Sequence, residues 1–210
     1  MSKIKMVMFD LSGTTVYDDT GVRDCLYKAA VEFKLKTTPE EILLHMGTNK
    51  IHLYQYLIAR SRGKNIDFRD FEKIQDPKAL ELATKVFHRY EEIMIAHYRN
   101  EVKEVPGAAD TFRWCHANGI KVATDTGFHR QITQAIMDGM GWVRDGLVDI
   151  SVDVEHAPNE RGNHDFAPYR MPTAETRAAQ LQVAGHVGLQ RCGNGRNALG
   201  HQVRRHLSHD

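Results

Sequence analysis

The stretch from Met6 to Val16, reading MVMFDLSGTTV, constrains the fold more than any other part of this chain. Four consecutive apolar residues, Met6 to Phe9, predict a short strand that is buried on both faces, as in a parallel α/β sheet. Gly13 marks a turn, so Asp10 stands at the carboxyl end of the strand. Ligands of open α/β sheets bind at that edge, where a carboxylate can act as a nucleophile or a metal ligand. The alternative is an aspartate that only caps the turn after an edge strand.

The rest of the chain alternates between helical and strand patterns in a way that predicts domain boundaries. Helical spacing begins at Gly21 and continues to about residue 100, and Thr38-Pro39 is a typical helix start. After Val105 a helix, the strand 120–123, a helix at 132–140 and a strand at 147–154 predict renewed βα alternation. We therefore expect an α/β core formed by residues 1–16 and 101–155, with residues 17–100 as an inserted helical domain. A helical bundle appended to a sheet is the alternative.

Composition bears on the partners and the cellular location that we expect. The 210 residues carry a formal net charge of +1, which gives no reason to expect nucleic acid or an anionic membrane as partner. The three cysteines, Cys25, Cys115 and Cys192, lack metal or redox spacing and predict reduced thiols. No apolar run is long enough for a membrane helix or a secretory signal, so we expect a cytoplasmic protein.

Residues 156–210 differ in composition from the rest of the chain. The last lysine is Lys121 and the last isoleucine is Ile150, while only 181–189 suggests a strand. Two readings are open: a divergent or poorly ordered terminus, or a segment translated out of the ancestral frame. The abrupt shift without low complexity favours the second.

The motif D-x-S-G-T-T, beginning at Asp10, resembles the first motif of the haloacid dehalogenase superfamily, usually D-x-D-x-T. This resemblance implies a Rossmann-like core with an inserted α-helical cap, and Asp10 as the nucleophile that becomes an aspartyl phosphate. It also implies Mg²⁺ held by Asp10 and the backbone of Ser12, with Ser12 and Gly13 beside the phosphoryl group. The family's second aspartate is a general acid and base, a role worth roughly 10²–10⁴ in rate. Because a small residue, Ser12, replaces it, the motif looks like the phosphonatase branch.

Thr126-Gly127-Phe128 follows the second predicted strand and resembles the second superfamily motif. Physically, a hydroxyl and backbone amides near a helix N-terminus form a ready anion site. The resemblance implies that Thr126 and Gly127 hold the phosphoryl group. With Gly141-Trp142 and Val148-Asp149, the segment is also similar to the phosphonatase-like hydrolases. An ordinary turn after a strand is the alternative.

The segment Met46-Gly47-Thr48-Asn49-Lys50 looks like the phosphonatase cap motif M-G-x-x-K. The resemblance implies that Lys50 forms a Schiff base with an aldehyde substrate, with Met46 and Gly47 beside the substrate. Such an imine would draw electrons from the carbon–phosphorus bond, and it requires a lysine with a lowered pKa. A solvated lysine at a helix start is the alternative.

The third and fourth superfamily motifs are poorly matched. Arg161 resembles the basic residue that balances the charge of the phosphoryl group in the family, but no acidic pair follows Asp165 to hold Mg²⁺. Mg²⁺ usually takes one or two protein carboxylates, so Asp10 alone would bind it poorly. His201, His206 and His209 lack partners at zinc spacing and are read as exposed tail residues.

By this resemblance the chain hydrolyses a small organophosphorus substrate, with phosphonoacetaldehyde as the leading compound. A phosphate monoester such as phosphoglycolate is the enzymatic alternative. A catalytically defective chain that lacks the acidic metal loop is the second alternative. We also expect a homodimer formed through the cap.

Overall fold

The computed structural model describes residues 4–68 and 76–156 and the backbone of residues 186–187. The chain divides into two compact units, one formed by Met1–Asp19 with Glu101–Asp210 and the other by Thr20–Asn100. Arg161, Cys192 and the three tail histidines lie outside the described residues, as does most of the segment 156–210. No helix in the described ranges is long and apolar enough to cross a membrane.

The first unit contains a parallel sheet whose strands run in the order β3-β2-β1-β4. These are β1 (Met6–Asp10), β2 (Lys121–Asp125), β3 (Ile150–Val152) and β4 (His186–Val187). The register pairs Asp10 with Asp125 and Asp125 with Val152. β4 pairs with the other edge of β1, which makes β1 an interior strand. The strand predicted from the first apolar run is thus confirmed, and one short strand comes from the tail.

Apolar burial holds β1 in place, as its sequence predicts. Met6, Val7, Met8 and Phe9 are all buried. The Phe9 ring packs edge-on against Phe112 at 5.1 Å between centroids. Phe112 lies on α5 (Ala108–Ala117), which precedes β2, and α6 (Arg130–Met140) follows β2. The alternation of strand and helix gives the Rossmann-like arrangement expected for the core.

The chain leaves this unit and returns to it at one place. After β1, the Leu11 carbonyl accepts hydrogen bonds from the amides of residues 14, 15 and 16. Gly13 has φ of 79°, a left-handed conformation that favours glycine. Val16 then pairs antiparallel with Glu104, and the Tyr17 amide donates to the Lys103 carbonyl at 2.8 Å. The outgoing and returning segments are therefore tied together.

The second unit is helical. Its helices are α1 (Gly21–Glu32), α2 (Pro39–Leu44), α3 (Lys50–Ser61) and α4 (Pro77–Glu101), which ends one residue past the unit. Thr38 caps α2 by accepting from the Glu41 amide, as the Thr-Pro signature predicts. The buried Tyr54 hydroxyl donates to the Leu26 carbonyl at 3.2 Å, which joins α3 to α1. The fold is therefore an α/β core with an inserted helical cap.

Candidate active site

Asp10 ends β1 and is held by the hydroxyl groups that follow it in the chain. The Thr14 hydroxyl donates to Oδ2 of Asp10 at 2.9 Å, and the Thr15 hydroxyl donates to the Asp10 carbonyl at 2.9 Å. Asp10 is half-buried, whereas both threonines are buried. The tight turn at Leu11 brings these hydroxyls back to the strand end, so the carboxylate is fixed in orientation.

Ser12 and Gly13 make internal contacts in the same turn. The Ser12 hydroxyl donates to Oδ2 of Asp18 at 2.5 Å. The Gly13 amide donates to the Val16 carbonyl at 2.8 Å. Their expected places beside a phosphoryl group and, for the Ser12 backbone, beside a metal stay predictions. A serine hydroxyl that is hydrogen-bonded to a carboxylate cannot replace the second aspartate of the family motif as a general acid.

Asp125 was not among the site residues predicted from the sequence, and the register places it directly beside Asp10. Its side chain is fully buried, with 0% of its surface exposed. Neither carboxylate oxygen has a hydrogen-bond partner in the described part of the chain. Burial, and secondarily the charge of Asp10, raises the pKa of Asp125 to about 7. The signal available in the sequence was an acid shortly after the predicted strand 120–123, at the kind of position that identified Asp10.

Thr126 and Gly127 come directly after β2, at the same edge of the sheet as Asp10. The Thr126 hydroxyl accepts from the Phe128 amide at 3.2 Å, and it retains its own hydrogen for donation. The N-terminus of α6 differs from the expectation of an open anion site. The Arg130 amide donates to the Glu155 carboxylate at 3.2 Å, so a carboxylate of the chain already lies there.

Asp153, one residue beyond β3, is a buried acid with partners. It interacts with Arg130 at 3.4 Å and accepts from the Glu155 amide at 3.0 Å, while Nδ1 of His156 accepts from its backbone amide at 3.1 Å. These contacts compensate for its burial. The carboxylate of Asp153 therefore has a cation and a backbone donor beside it, whereas that of Asp125 has no hydrogen-bond partner within the described ranges.

The predicted cap motif lies in the helical unit. Asn49 caps α3 by accepting from the amides of residues 51 and 52, and Lys50 is the first helical residue. Its ammonium donates to the Thr48 carbonyl at 3.1 Å, and burial lowers the pKa of Lys50 to about 8. Met46 and Gly47 are exposed, and Gly47 has φ of 85°. A lowered pKa is the property that the Schiff-base hypothesis requires.

The next question is whether these residues could hold the expected Mg²⁺. Within the described ranges no group of three or more His, Cys, Asp or Glu side chains is placed to hold a metal ion. Asp10 and Asp125, however, offer two neighbouring carboxylates, and one of them is buried without a partner. Mg²⁺ is commonly bound by one or two carboxylates together with water and substrate phosphate. The residues present therefore fit the ion.

The family model of the haloacid dehalogenase-like hydrolases matches residues 4–167. The chain thus belongs to this family of hydrolases. No curated protein shows significant similarity to the sequence.

Solved structures with similar folds share little sequence with this chain. A protein described as a predicted phosphoglycolate phosphatase from Haemophilus somnus matches with a TM-score of 0.55 and 17% identity, over 76% of this chain and 66% of its own. CbbY from Rhodobacter sphaeroides, in complex with phosphate, matches with 0.54 and 17%, over 85% and 72%. A hydrolase from Pseudomonas syringae matches with 0.54 and 14%, over 85% and 70%.

This chain thus spans just under two thirds of the Haemophilus somnus protein. At these identities the likeness shows the fold alone. The comparisons establish the superfamily expected from the Asp10 motif, and none of these three structures is described as a phosphonatase. The phosphonatase branch therefore stays a hypothesis.

Proposed function

We propose that this chain hydrolyses a small phosphate monoester, with Asp10 as the nucleophile. The observation that carries the proposal is the position of Asp10 at the carboxyl end of an interior strand. There its carboxylate is oriented by Thr14, and Thr126 follows the neighbouring strand at the same edge. The resemblance of the sequence motifs, taken alone, favours a phosphonate as the leading substrate instead. The predicted phosphoglycolate phosphatase of similar fold guides the choice of the first compounds to test, phosphoglycolate among them.

The reaction follows from the groups present. A carboxylate oxygen of Asp10 attacks phosphorus, the bond from phosphorus to the ester oxygen breaks, and the alcohol leaves with a proton taken from water. Water then attacks phosphorus in the aspartyl phosphate, releasing inorganic phosphate and restoring the carboxylate. In this proposal Thr126 donates a hydrogen bond to a phosphoryl oxygen.

Asp10 and the Ser12 backbone would hold Mg²⁺. When bound, the ion would reduce the repulsion between the carboxylate and the anionic substrate. Thr14 keeps the Asp10 carboxylate in one orientation by donating to Oδ2. Positioning of this kind lowers the entropic cost of the attack.

Hydrolysis of phosphoglycolate and of an aryl phosphate in the presence of Mg²⁺ tests the proposal. Wild type should release phosphate, Asp10→Asn should lose at least about a thousandfold in kcat, and Lys50→Arg should keep most of the activity. Asp19→Asn is the charge-matched control, since Asp19 lies on the surface outside the strand end. An inactive wild-type chain would support the reading of a defective enzyme.

Phosphonoacetaldehyde hydrolysis is the second candidate, and the lowered pKa of Lys50 favours it. In this reaction the Lys50 amine condenses with the aldehyde and releases water. Attack of Asp10 on phosphorus then breaks the carbon–phosphorus bond, and the bonding electrons enter the protonated imine to give an enamine. Protonation of the enamine carbon and hydrolysis of the resulting imine release acetaldehyde and restore Lys50, while water hydrolyses the aspartyl phosphate and releases inorganic phosphate. Turnover of phosphonoacetaldehyde that is lost in both Asp10→Asn and Lys50→Arg would support the phosphonatase hypothesis. Lys50→Arg should then leave any hydrolysis of phosphate monoesters largely unchanged.

A further inference from the structure

We infer that Asp125 is a protein ligand of a divalent cation, and that it forms with Asp10 a carboxylate pair at the ends of β1 and β2. The inference rests on the proposed function only in taking Asp10 as a ligand. The second carboxylate then comes from the end of β2, and not from an acidic loop in the tail.

The register of the sheet brings the two carboxylates together. Asp10 and Asp125 are paired residues of adjacent parallel strands, which lie about 4.8 Å apart. Paired residues of parallel strands direct their side chains to the same face of the sheet. The charge of Asp10 acts on Asp125, which is consistent with this placement.

The burial of Asp125 requires a neutralising partner. An ionised carboxylate in a buried site is costly unless it is paired, hydrogen-bonded or bound to a metal. Asp153, which is nearly as buried, has Arg130 beside it and accepts a hydrogen bond from the Glu155 amide. Neither oxygen of Asp125 has a hydrogen-bond partner among residues 4–68 and 76–156, and its neighbour Asp10 adds a second acid. One divalent cation would compensate both carboxylates.

The sequence of the tail supports the same assignment. After Asp165 the only acidic residues are Glu175 and Asp210, which are too far apart in sequence to form a compact acidic loop. Asp125 would supply the carboxylate that such a loop would otherwise provide. Two protein carboxylates are sufficient for Mg²⁺, which keeps several water ligands.

Binding of Mn²⁺ and of Mg²⁺ to the full chain, measured by calorimetry without substrate, tests this inference. Wild type should bind one ion per chain. Asp125→Asn and Asp10→Asn should each weaken binding by about tenfold or more, because each loses one anionic ligand. Asp149→Asn is the matched control, because its substitution removes the same charge. Asp149 precedes β3 and therefore lies at the amino ends of the strands, whereas Asp10 and Asp125 lie at the carboxyl ends. The control should change the affinity by less than about threefold.

Thermal unfolding supplies a second readout that also reports on folding. At one fixed concentration of Mn²⁺, the rise in Tm should be similar for wild type and Asp149→Asn and clearly smaller for Asp125→Asn, whose weaker binding gives less stabilisation. Without metal, Asp125→Asn should be at least as stable as wild type, because it removes an uncompensated buried acid. A large loss of stability in metal-free Asp125→Asn would contradict the inference.

Three results separate this inference from the proposed function. Equal Mn²⁺ affinity in wild type and Asp125→Asn would overturn the inference, whether or not the chain hydrolyses phosphate esters. Absence of ion binding in wild type would overturn it as well. Binding that depends on Asp125 in a chain without hydrolytic activity would support the inference and count against the function.

Discussion

At the scale of single residues, Ser12 is the position where this chain departs most clearly from the first motif of its family. Its hydroxyl donates a hydrogen bond to Asp18 and cannot act as a general acid near neutral pH. Departure of the leaving group in the proposed reaction therefore depends on water. The rate should then fall steeply as the pKa of the leaving alcohol rises.

We predict that Ser12→Asp raises kcat for alkyl phosphates by about tenfold or more, because it restores a general acid beside the nucleophile. The gain should be small for aryl phosphates, whose leaving groups need little protonation. Steady-state kinetics on a series of esters of graded leaving-group pKa measures both effects. Ser12→Asn is the control of similar size. An equal gain on all esters would count against this explanation.

The reactivity of Lys50 should follow its lowered pKa. The neutral amine is the nucleophile, and its fraction rises with pH through a pKa of about 8. Reductive labelling of Lys50 by a small aldehyde should therefore level off above about pH 8, whereas ordinary lysines continue to gain reactivity to about pH 10.4. Peptide mass spectrometry after labelling across this range measures the profile. A Lys50 profile that levels off only near the ordinary value would refute the prediction.

At the scale of elements, the local pattern was enough to predict β1, the start of α2 and the helices on either side of β2. Apolar runs and capping residues determine these features, and they act over a few residues. The position of Asp125 beside Asp10 depends instead on the register of two strands more than 100 residues apart. The pKa of Lys50 likewise depends on burial, which no sequence motif encodes.

The packing of α5 against β1 should make a large contribution to stability. Phe112 is fully buried, and its ring centroid lies 5.1 Å from those of Phe9 and of Trp142. Phe112→Ala should lower the free energy of unfolding by about 3–5 kcal/mol, because it leaves a cavity in this aromatic cluster. Phe112→Leu should cost less than Phe112→Ala, since it leaves a smaller cavity. Urea unfolding measures both, and equal losses in the two variants would contradict the cavity explanation.

At the scale of the whole molecule, the chain combines a parallel sheet with an inserted helical unit, as the first motif and the long helical stretch indicated. The tail adds the short β4 beside β1. The expectations for Arg161 and the tail histidines concern residues outside those that the structure describes. For the function, the structure shows that Asp10 lies at the end of an interior strand. The family match shows that the chain belongs to a family of hydrolases.

The central claim is that Asp10 becomes covalently phosphorylated during turnover. Acid-quenching the chain during hydrolysis of an aryl phosphate, followed by peptide mass spectrometry, tests this most directly. The proposed function predicts one phosphoryl group on the peptide that contains Asp10, present in wild type and Asp19→Asn and absent in Asp10→Asn. Turnover that persists in Asp10→Asn, or a phosphoryl group on another residue, would contradict it.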